Sequence, residues 1–326
     1  MKRTNLNKIL FSCLILILVL VFIGSGLLIL ESTVFYASED KEFVQTKKTI
    51  TRDGVRYFPR QDITVLMLLG VDQEGKVQAS TEANRGNAVD MVTLVIADEK
   101  EQTYSILNIN RDTMLDMPVL DAQGKENGTV YAQLSYSHIY GTGVEDSCEN
   151  TRKTVSNFLY GIQVDHYIAM NMEAVPILND AVGGVTVMVT DDFSQVDPEI
   201  KMGKHTLVGE QARTFVQQRW YVSDHLNLYR IERQKEYMKE FAGAFFAKAE
   251  ESPDFVLSVF EQVSDYVVTD CSGTVLSNLF SDFSDYTLDQ VLSLEGENVL
   301  GEEYYEFYPD KEKLDDLILQ FFYAPK

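Results

Sequence analysis

The segment NLYRIERQKEYMKEF (227–241) holds Arg230, Arg233 and Gln234 at i, i+3 and i+4. On a helix that spacing puts all three on one face. Guanidinium forks at a helix start suit an anion, because orphan N–H groups and the helix dipole favour it too. Two carboxylates and two more arginines stand at other element ends. Asp72 closes the apolar run ITVLMLLGVD (63–72), and Asp90 precedes MVTLVIAD (91–98). Arg111 and Asp112 follow YSILNIN (104–110), and Arg219 ends GEQARTFVQQR (209–219). Loops at strand ends of open α/β sheets are where ligands bind. Paired carboxylates supply hard oxygen ligands for a magnesium ion, and arginine forks grip the remaining oxygens of a pyrophosphate. Spacing alone leaves plainer readings open: Asp72 and Asp90 as loop caps, Arg111 with Asp112 as a local ion pair, and Arg230, Glu232 and Arg233 as a solvated helix start. His138, in SHIYGTG, reads as a satisfied structural histidine, and His166, His205 and His225 have no catalytic spacing.

The elements that would carry these residues follow from periodicity. Residues 63–72, 91–98 and 104–110 are β-rich runs, the last two joined by a short DEKEQT turn that predicts a hairpin. TRKTVSNFLYGI (151–162) has helical spacing, and HYIAM (166–170) is strand-like. EAVPILNDAVGGV (173–185) predicts a helix stopped at a glycine pair, with VTVMVTDDF (185–193) leaving as a strand. Helices are expected over 209–219 and 230–249. Beyond Pro253 come YVVTD (266–270), two amphipathic helical stretches and EYYEFYPDKEKLDDLILQFFY. No composition shift marks a second linker, so residues 61–326 read as one α/β domain.

The N-terminus predicts a membrane anchor. Residues 1–8 contain Lys2, Arg3 and Lys8, and residues 9–30 contain no charge. At ~1.5 Å per residue the apolar run makes about 33 Å of helix, enough for a ~30 Å hydrocarbon core. It exceeds the ~7–15-residue core of a cleaved signal peptide, and no A-x-A site follows. Positive charge before the span orients residues 1–8 to the cytoplasm and everything after residue 30 outside, with residues 31–60 as a stalk or short membrane-proximal helix. The chain of 326 residues carries 50 acidic against 28 basic residues, a net charge of −22. That balance excludes a nucleic-acid partner, which needs a basic face. It reads mainly as a well-solvated surface, on which clustered arginine must serve a local purpose. Cys148 and Cys271 lie where a disulfide can persist, but spacing sets no distance between them. No Cys-x-x-Cys, His-Glu-x-x-His, Gly-x-Ser-x-Gly or Walker loop occurs.

Several of these pieces form an ordered set: LLGVD (68–72), VDMVTLVIAD (89–98), INRDTM (109–114), SHIYGTG (137–143), KTVSNFLYGI (153–162), LNDAVGGVTV (178–187), LVGEQARTFV (207–216) and RIERQ (230–234). With the basic tail and single span before them, they make the chain resemble the LytR-CpsA-Psr family, membrane-anchored bacterial enzymes that attach glycopolymers to peptidoglycan. The resemblance implies a mixed central β-sheet flanked by helices, and a substrate glycan carried on a polyprenyl pyrophosphate. It implies attack by a peptidoglycan sugar hydroxyl on the glycan-side phosphorus, forming a phosphodiester and releasing polyprenyl phosphate. By motif, Asp72 and Asp90 would hold Mg²⁺ or Mn²⁺, and Arg111, Arg219 and Arg230 would grip the pyrophosphate. Lys153, at a basic position of a helix start, Arg233 and Gln234 would support them. The expected setting is the outer face of a Gram-positive cell membrane.

Two departures from the family pattern stand out. The family usually has Arg-Ser-Asp where this chain reads Ala88-Val89-Asp90, with Arg85 nearby as a substitute. It commonly has Arg-x-Arg where this chain reads Gln217-Gln218-Arg219. Loss of one charge-assisted contact to a developing charge is worth roughly 10²-fold in rate. The missing arginine keeps two rivals in view: a non-catalytic module that holds the lipid pyrophosphate, and a hydrolase that uses water in place of the sugar.

Overall fold

The computed structural model describes residues 43–46, 49–82, 86–121, 123–218, 221–222, 227–252, 254–272, 275–276, 279, 286–302 and 304–325. Its centre is a six-stranded mixed sheet built from β4 (Ile63–Val71), β5 (Val89–Asp98), β6 (Thr103–Ile109), β9 (His166–Asn171), β12 (Val267–Thr269) and β13 (Thr287–Ser293). Their spatial order is β12-β9-β4-β5-β6-β13. β4, β5 and β6 run antiparallel in sequence order, β9 lies parallel to β4, and β13 lies parallel to β6. The expected 91–98/104–110 hairpin is present.

β4 is apolar throughout because both of its faces are covered. Successive side chains alternate across a strand. Leu66 and Leu68 enter one core, while Val65, Met67 and Leu69 enter the other. The first core lies under α2 (Ala174–Ala181), α3 (Glu210–Gln217), α4 (Asn227–Glu251) and α5 (Phe255–Val263), which supply Leu178, Phe215, Phe241 and Val259. The second lies under α1 (Glu145–Phe158) and α6 (Lys311–Phe322), which supply Val155 and Ile318. Met67, Leu68, Leu69 and Leu94 are fully buried. Each contributes about 1.5–3 kcal/mol of transfer free energy, so the central strands are the rigid frame for whatever their ends carry. α2 stops where the glycine pair demands. Gly183 and Gly184 have φ of 87° and 91°, and their N–H groups return to Asp180 and Asn179 carbonyls at 2.9 Å.

Three antiparallel pairs decorate the frame: β7 (Met114–Leu120) with β8 (Glu126–Gln133), β10 (Val185–Val189) with β11 (Gly203–Leu207), and β14 (Gly296–Leu300) with β15 (Tyr305–Pro309). β13 and β14 occupy a stretch expected to be helical. The apolar positions of β13 pair with β6 instead, a partner about 180 residues away that local periodicity does not reveal.

The expected stalk over 31–60 needs correction in its second half. β1 (Phe43–Thr46), β2 (Thr49–Arg52) and β3 (Val55–Pro59) form a sheet completed by β16 (Tyr323–Pro325). Ile50 is fully buried in the second core, and Arg52, itself buried, ion-pairs with Asp316 of α6. Residues 49–59 therefore belong to the folded domain. The anchor expected over 9–30 lies outside the described residues, and among those described no helix is long and apolar enough to cross a membrane. Cys148 and Cys271 are free and belong to opposite cores, so the disulfide is not formed. Ile50→Ala is expected to cost about 2–5 kcal/mol in urea unfolding, as a core truncation does. A stalk residue would cost almost nothing.

Candidate functional site

Strand register gathers the acidic and basic residues at one end of the sheet. Val71 of β4 pairs with Val89 of β5, and Val92 of β5 pairs with Ile109 of β6. Asp72 leaves β4, Asp90 is the second residue of β5, and Arg111 follows β6, so antiparallel pairing brings all three to a common edge. A register irregularity between Gly70 and Val71 breaks the ladder there, and the Asp72 N–H donates to the Ala88 carbonyl at 3.0 Å. Asn87 Nδ2 donates to the Asp72 carbonyl at 2.9 Å, closing the turn that holds the two carboxylates together.

Arg111 Nη1 donates to Asp90 Oδ1, and its Nε lies 3.6 Å from Asp112 Oδ1. Arg111 and Asp90 side chains are 44% and 40% exposed, whereas Asp112 is 13% exposed. Asp112 is fixed from two sides. Its N–H donates to the Asn110 carboxamide oxygen at 2.9 Å, and its carboxylate accepts from Gln133 Nε2 at 3.3 Å. Burial pushes the Asp72 carboxyl above its ordinary pKa, the charge of Asp90 pushes it further, and Arg111 opposes both. Burial likewise raises Asp112, against the pull of Arg111. The edge is thus three carboxylates sharing one described guanidinium. Asp112 acts as Arg111's inner neighbour, a part that its place beside Arg111 in the sequence only half suggested.

The loop into β5 is clamped from below by SHIYGTG. His138 is buried, its Nδ1 2.8 Å from the Asn87 carbonyl and its Nε2 3.7 Å from Cys148 Sγ. A donating Nδ1–H leaves Nε2 free to accept from the thiol, so both ring nitrogens are used by a neutral ring. Gly86 has no room for a side chain, since a β-carbon would fall 2.2 Å from the His138 carbonyl oxygen. Its N–H donates to Ile139 O at 3.1 Å. His138 is therefore a structural histidine that seats the loop carrying Ala88 and Asp90.

The other expected site residues are distributed differently. Arg85 and Arg219 lie outside the described residues, as does the side chain of Arg230, whose backbone falls in the first turn of α4. α4 begins at Asn227, so Arg233 and Gln234 lie in its second turn rather than its first. Arg233 as a ligand contact is corrected by its surroundings. It is 4% exposed, and its guanidinium donates to the Phe215 carbonyl at 2.9 Å, to the Gln218 carbonyl and to Asp191, above the Phe193 ring at 5.4 Å. Gln234 is buried too and donates to the Val216 carbonyl at 2.7 Å. The two side chains satisfy carbonyls left open at the C-terminus of α3, the helix that runs toward Arg219. They fix that helix end and are not free for an anion.

Lys153 is likewise displaced from its expected role. α1 starts at Glu145, which puts Lys153 in the third turn, and its Nζ pairs with Glu126. Glu126 and Gln133 are seven residues apart on β8, about 23 Å at strand rise. Gln133 sits beside Asp112, so Lys153 stands at the far end of that hairpin from Arg111.

The LytR_cpsA_psr family model matches residues 31–320. The chain belongs to that family. A teichoic acid transferase of Enterococcus faecalis, the polyisoprenyl-teichoic acid–peptidoglycan enzyme TagU, is 27% identical over 287 residues, covering 86% of this chain and 84% of the relative. The Bacillus subtilis enzyme TagT, of the same description, is 31% identical over 188 residues, covering 55% of this chain and 52% of TagT. Among solved structures, Bacillus subtilis TagV superposes with a TM-score of 0.55 at 23% identity, covering 80% of this chain and 96% of that one, which shows the same mixed α/β fold.

Two outcomes are expected. Arg233→Ala strands Asp191, whose side chain is 11% exposed, and is expected to cost about 3–5 kcal/mol in chemical unfolding, while Arg111→Ala costs under about 1 kcal/mol. Burial holds the His138 pKa at about 4, below the ~6.5 of an unfolded histidine. Between those values the unfolded chain binds the extra proton, so stability is lost as pH falls from about 6.5 toward 4. The loss is on the order of 3 kcal/mol, and His138→Gln is expected to flatten that part of the unfolding profile.

Proposed function

We propose that the chain moves a glycopolymer from a polyprenyl-pyrophosphate carrier to a sugar hydroxyl of peptidoglycan. The observation that carries this reading is the Asp72–Asp90–Arg111–Asp112 edge, in a chain whose family relatives bear the names of teichoic acid–peptidoglycan transferases. The acceptor hydroxyl attacks the glycan-side phosphorus, the bond to the bridging oxygen breaks, polyprenyl phosphate leaves, and the hydroxyl proton passes to solvent. Little covalent help is required from the protein in such a phosphoryl transfer. Positioning and neutralisation of charge carry the rate.

Arg111 is the described group suited to that neutralisation. Its pair with Asp90 is exposed and worth about 0–1 kcal/mol, while a hydrogen bond to a charged group is worth about 1.5–3 kcal/mol. Exchange of Asp90 for a phosphate oxygen is therefore favourable whenever the carboxylate finds another partner. Asp72 and Asp90 would hold Mg²⁺, with Mn²⁺ as the alternative. The fit rests on their oxygen donors and on the raised Asp72 pKa, caused first by burial and then by the charge of Asp90, the second of which a divalent cation would relieve. When bound, the ion would neutralise non-bridging phosphate oxygens. Arg219 and Arg230, and Arg85 in place of the family's first arginine, are proposed as further donors to the same head group. The apolar segment 9–30 would anchor the chain and hold the domain outside the membrane, where a lipid-linked donor presents its pyrophosphate.

Incubation of the full chain with Mg²⁺, lipid-pyrophosphate glycan and peptidoglycan oligomers tests the reading, and glycan attached to peptidoglycan is the expected product. Gln217, exposed at the end of α3 where the family commonly carries arginine, keeps two other outcomes meaningful. Free phosphorylated glycan would mark a hydrolase, and retained intact donor a binding module. Arg111→Ala and Arg230→Ala are each expected to lose on the order of 10²-fold in turnover with an unchanged circular dichroism spectrum. Asp90→Asn is expected to raise the Mg²⁺ concentration needed for half-maximal transfer; unchanged rates in all three variants would refute the assignment.

A further inference from the structure

A second cluster of ligand-type side chains lies at the opposite end of the sheet. β9 runs parallel to β4, with His166 opposite Leu66 and Asn171 opposite Val71. His166 is thus about six residues, roughly 20 Å, from the Asp72 edge. Beside it the chain leaves β12 through Asp270 and Cys271. One donor atom from each of His166, Asp270 and Cys271 falls within 4.8 Å of the other two.

Three observations favour a ligand there over a chance meeting of side chains. His166 Nδ1 is buried and makes no hydrogen bond, although its ring is only half-buried. A buried ring nitrogen without a hydrogen bond, its nearest carboxylate oxygen 3.5 Å away, costs free energy that a bound cation would recover. Next, two of the three donor–donor spacings match edges of a metal polyhedron. His166 Nδ1 lies 3.5 Å from Asp270 Oδ1, and Cys271 Sγ lies 3.7 Å from the same oxygen. Tetrahedral zinc, with bonds of ~2.0–2.1 Å to N, ~2.0–2.2 Å to O and ~2.3 Å to S, puts N and O about 3.4 Å apart and S and O about 3.6 Å apart. Finally, the carboxylate is held in place from outside. The Tyr167 N–H donates to Oδ1 at 3.0 Å, and Arg152 Nη1 donates to Oδ2 at 3.0 Å; the other acceptor position of Oδ1 is taken by the Cys271 thiol, whose loss of a proton on loading would free it for a cation. Arg152 brings positive charge close by, but Glu149 pairs with it and offsets that charge. Outer partners of this kind orient the ligands of metal sites.

We propose that His166 Nδ1, Asp270 Oδ1 and Cys271 Sγ form a site for a borderline-soft divalent cation of the zinc and cobalt class, tying the edge strand β12 to β9. A mixed N, O and S donor set selects that class over magnesium or calcium. Loading exchanges the Cys271 thiol proton, released to solvent, for the metal–sulfur bond. The partly exposed rims of His166 and Asp270 leave a fourth position for water.

The test uses the full-length chain, stripped with chelator and titrated with Co²⁺ alone and then Zn²⁺ alone. One equivalent of Co²⁺ should bind with a thiolate-to-cobalt charge-transfer absorption, and Zn²⁺ should displace it and raise the Tm. Cys271→Ser should abolish the absorption, whereas Cys13→Ser and Cys148→Ser should keep it. His166→Gln, at a half-buried position that tolerates the change, should weaken Zn²⁺ binding by more than the ~10–100-fold that an outer-shell loss costs. If Cys271→Ser fails to fold, His166→Gln decides. Absence of a thiolate band, a band that survives Cys271→Ser in the folded protein, or an unchanged Zn²⁺ affinity in His166→Gln overturns the proposal. None of these readouts depends on glycan transfer.

Discussion

The antiparallel register of β4, β5 and β6 is the constraint on which the rest depends. It converts three residues far apart in sequence, Asp72, Asp90 and Arg111, into neighbours on one sheet edge. A one-residue slip would turn every core side chain of these strands to the opposite face, so burial on both faces holds the register firmly. The charges at the edge ride on that rigidity. They repel one another as carboxylates, are only partly balanced by Arg111, and are kept close because the apolar strands beneath leave them no alternative.

Among the described residues, a guanidinium that is held contrasts with one that is only weakly paired. Arg233 is buried, and its donors go to Asp191 and to carbonyls at the end of α3. Removal of such a group leaves a buried charge without its counterpart, and its role is to fix the C-terminal end of α3. Arg111 is exposed and weakly paired, which suits a group that must change partners during a reaction cycle. The same residue type thus does two jobs, decided by burial rather than by spacing.

That distinction also explains how far the sequence could be read. The strand runs 63–72, 91–98 and 104–110 and the helix stopped by Gly183 and Gly184 were legible because each is specified locally, by apolar runs and by turn chemistry. Asp72, Asp90 and Arg111 were legible as element ends. Arg233 was misleading: its spacing from Arg230 suggests a ligand fork, but its carboxylate partner lies 42 residues away, on a segment with no matching signal. The segment 49–59 looked like a polar stalk because a sheet closed by β16 needs its last strand from the far end of the chain. Lys153 reads as a helix opener only because the polar first turns of α1 hide its true start at Glu145.

The central claim is that Asp90 and Arg111 act as one unit, the carboxylate turning to the cation as the guanidinium turns to the phosphate. A double-mutant cycle of Asp90→Asn and Arg111→Gln, read on Mg²⁺-dependent transfer, tests it most directly. Strong non-additivity is predicted, with the double variant losing no more than the worse single variant. Losses that simply multiply would contradict it.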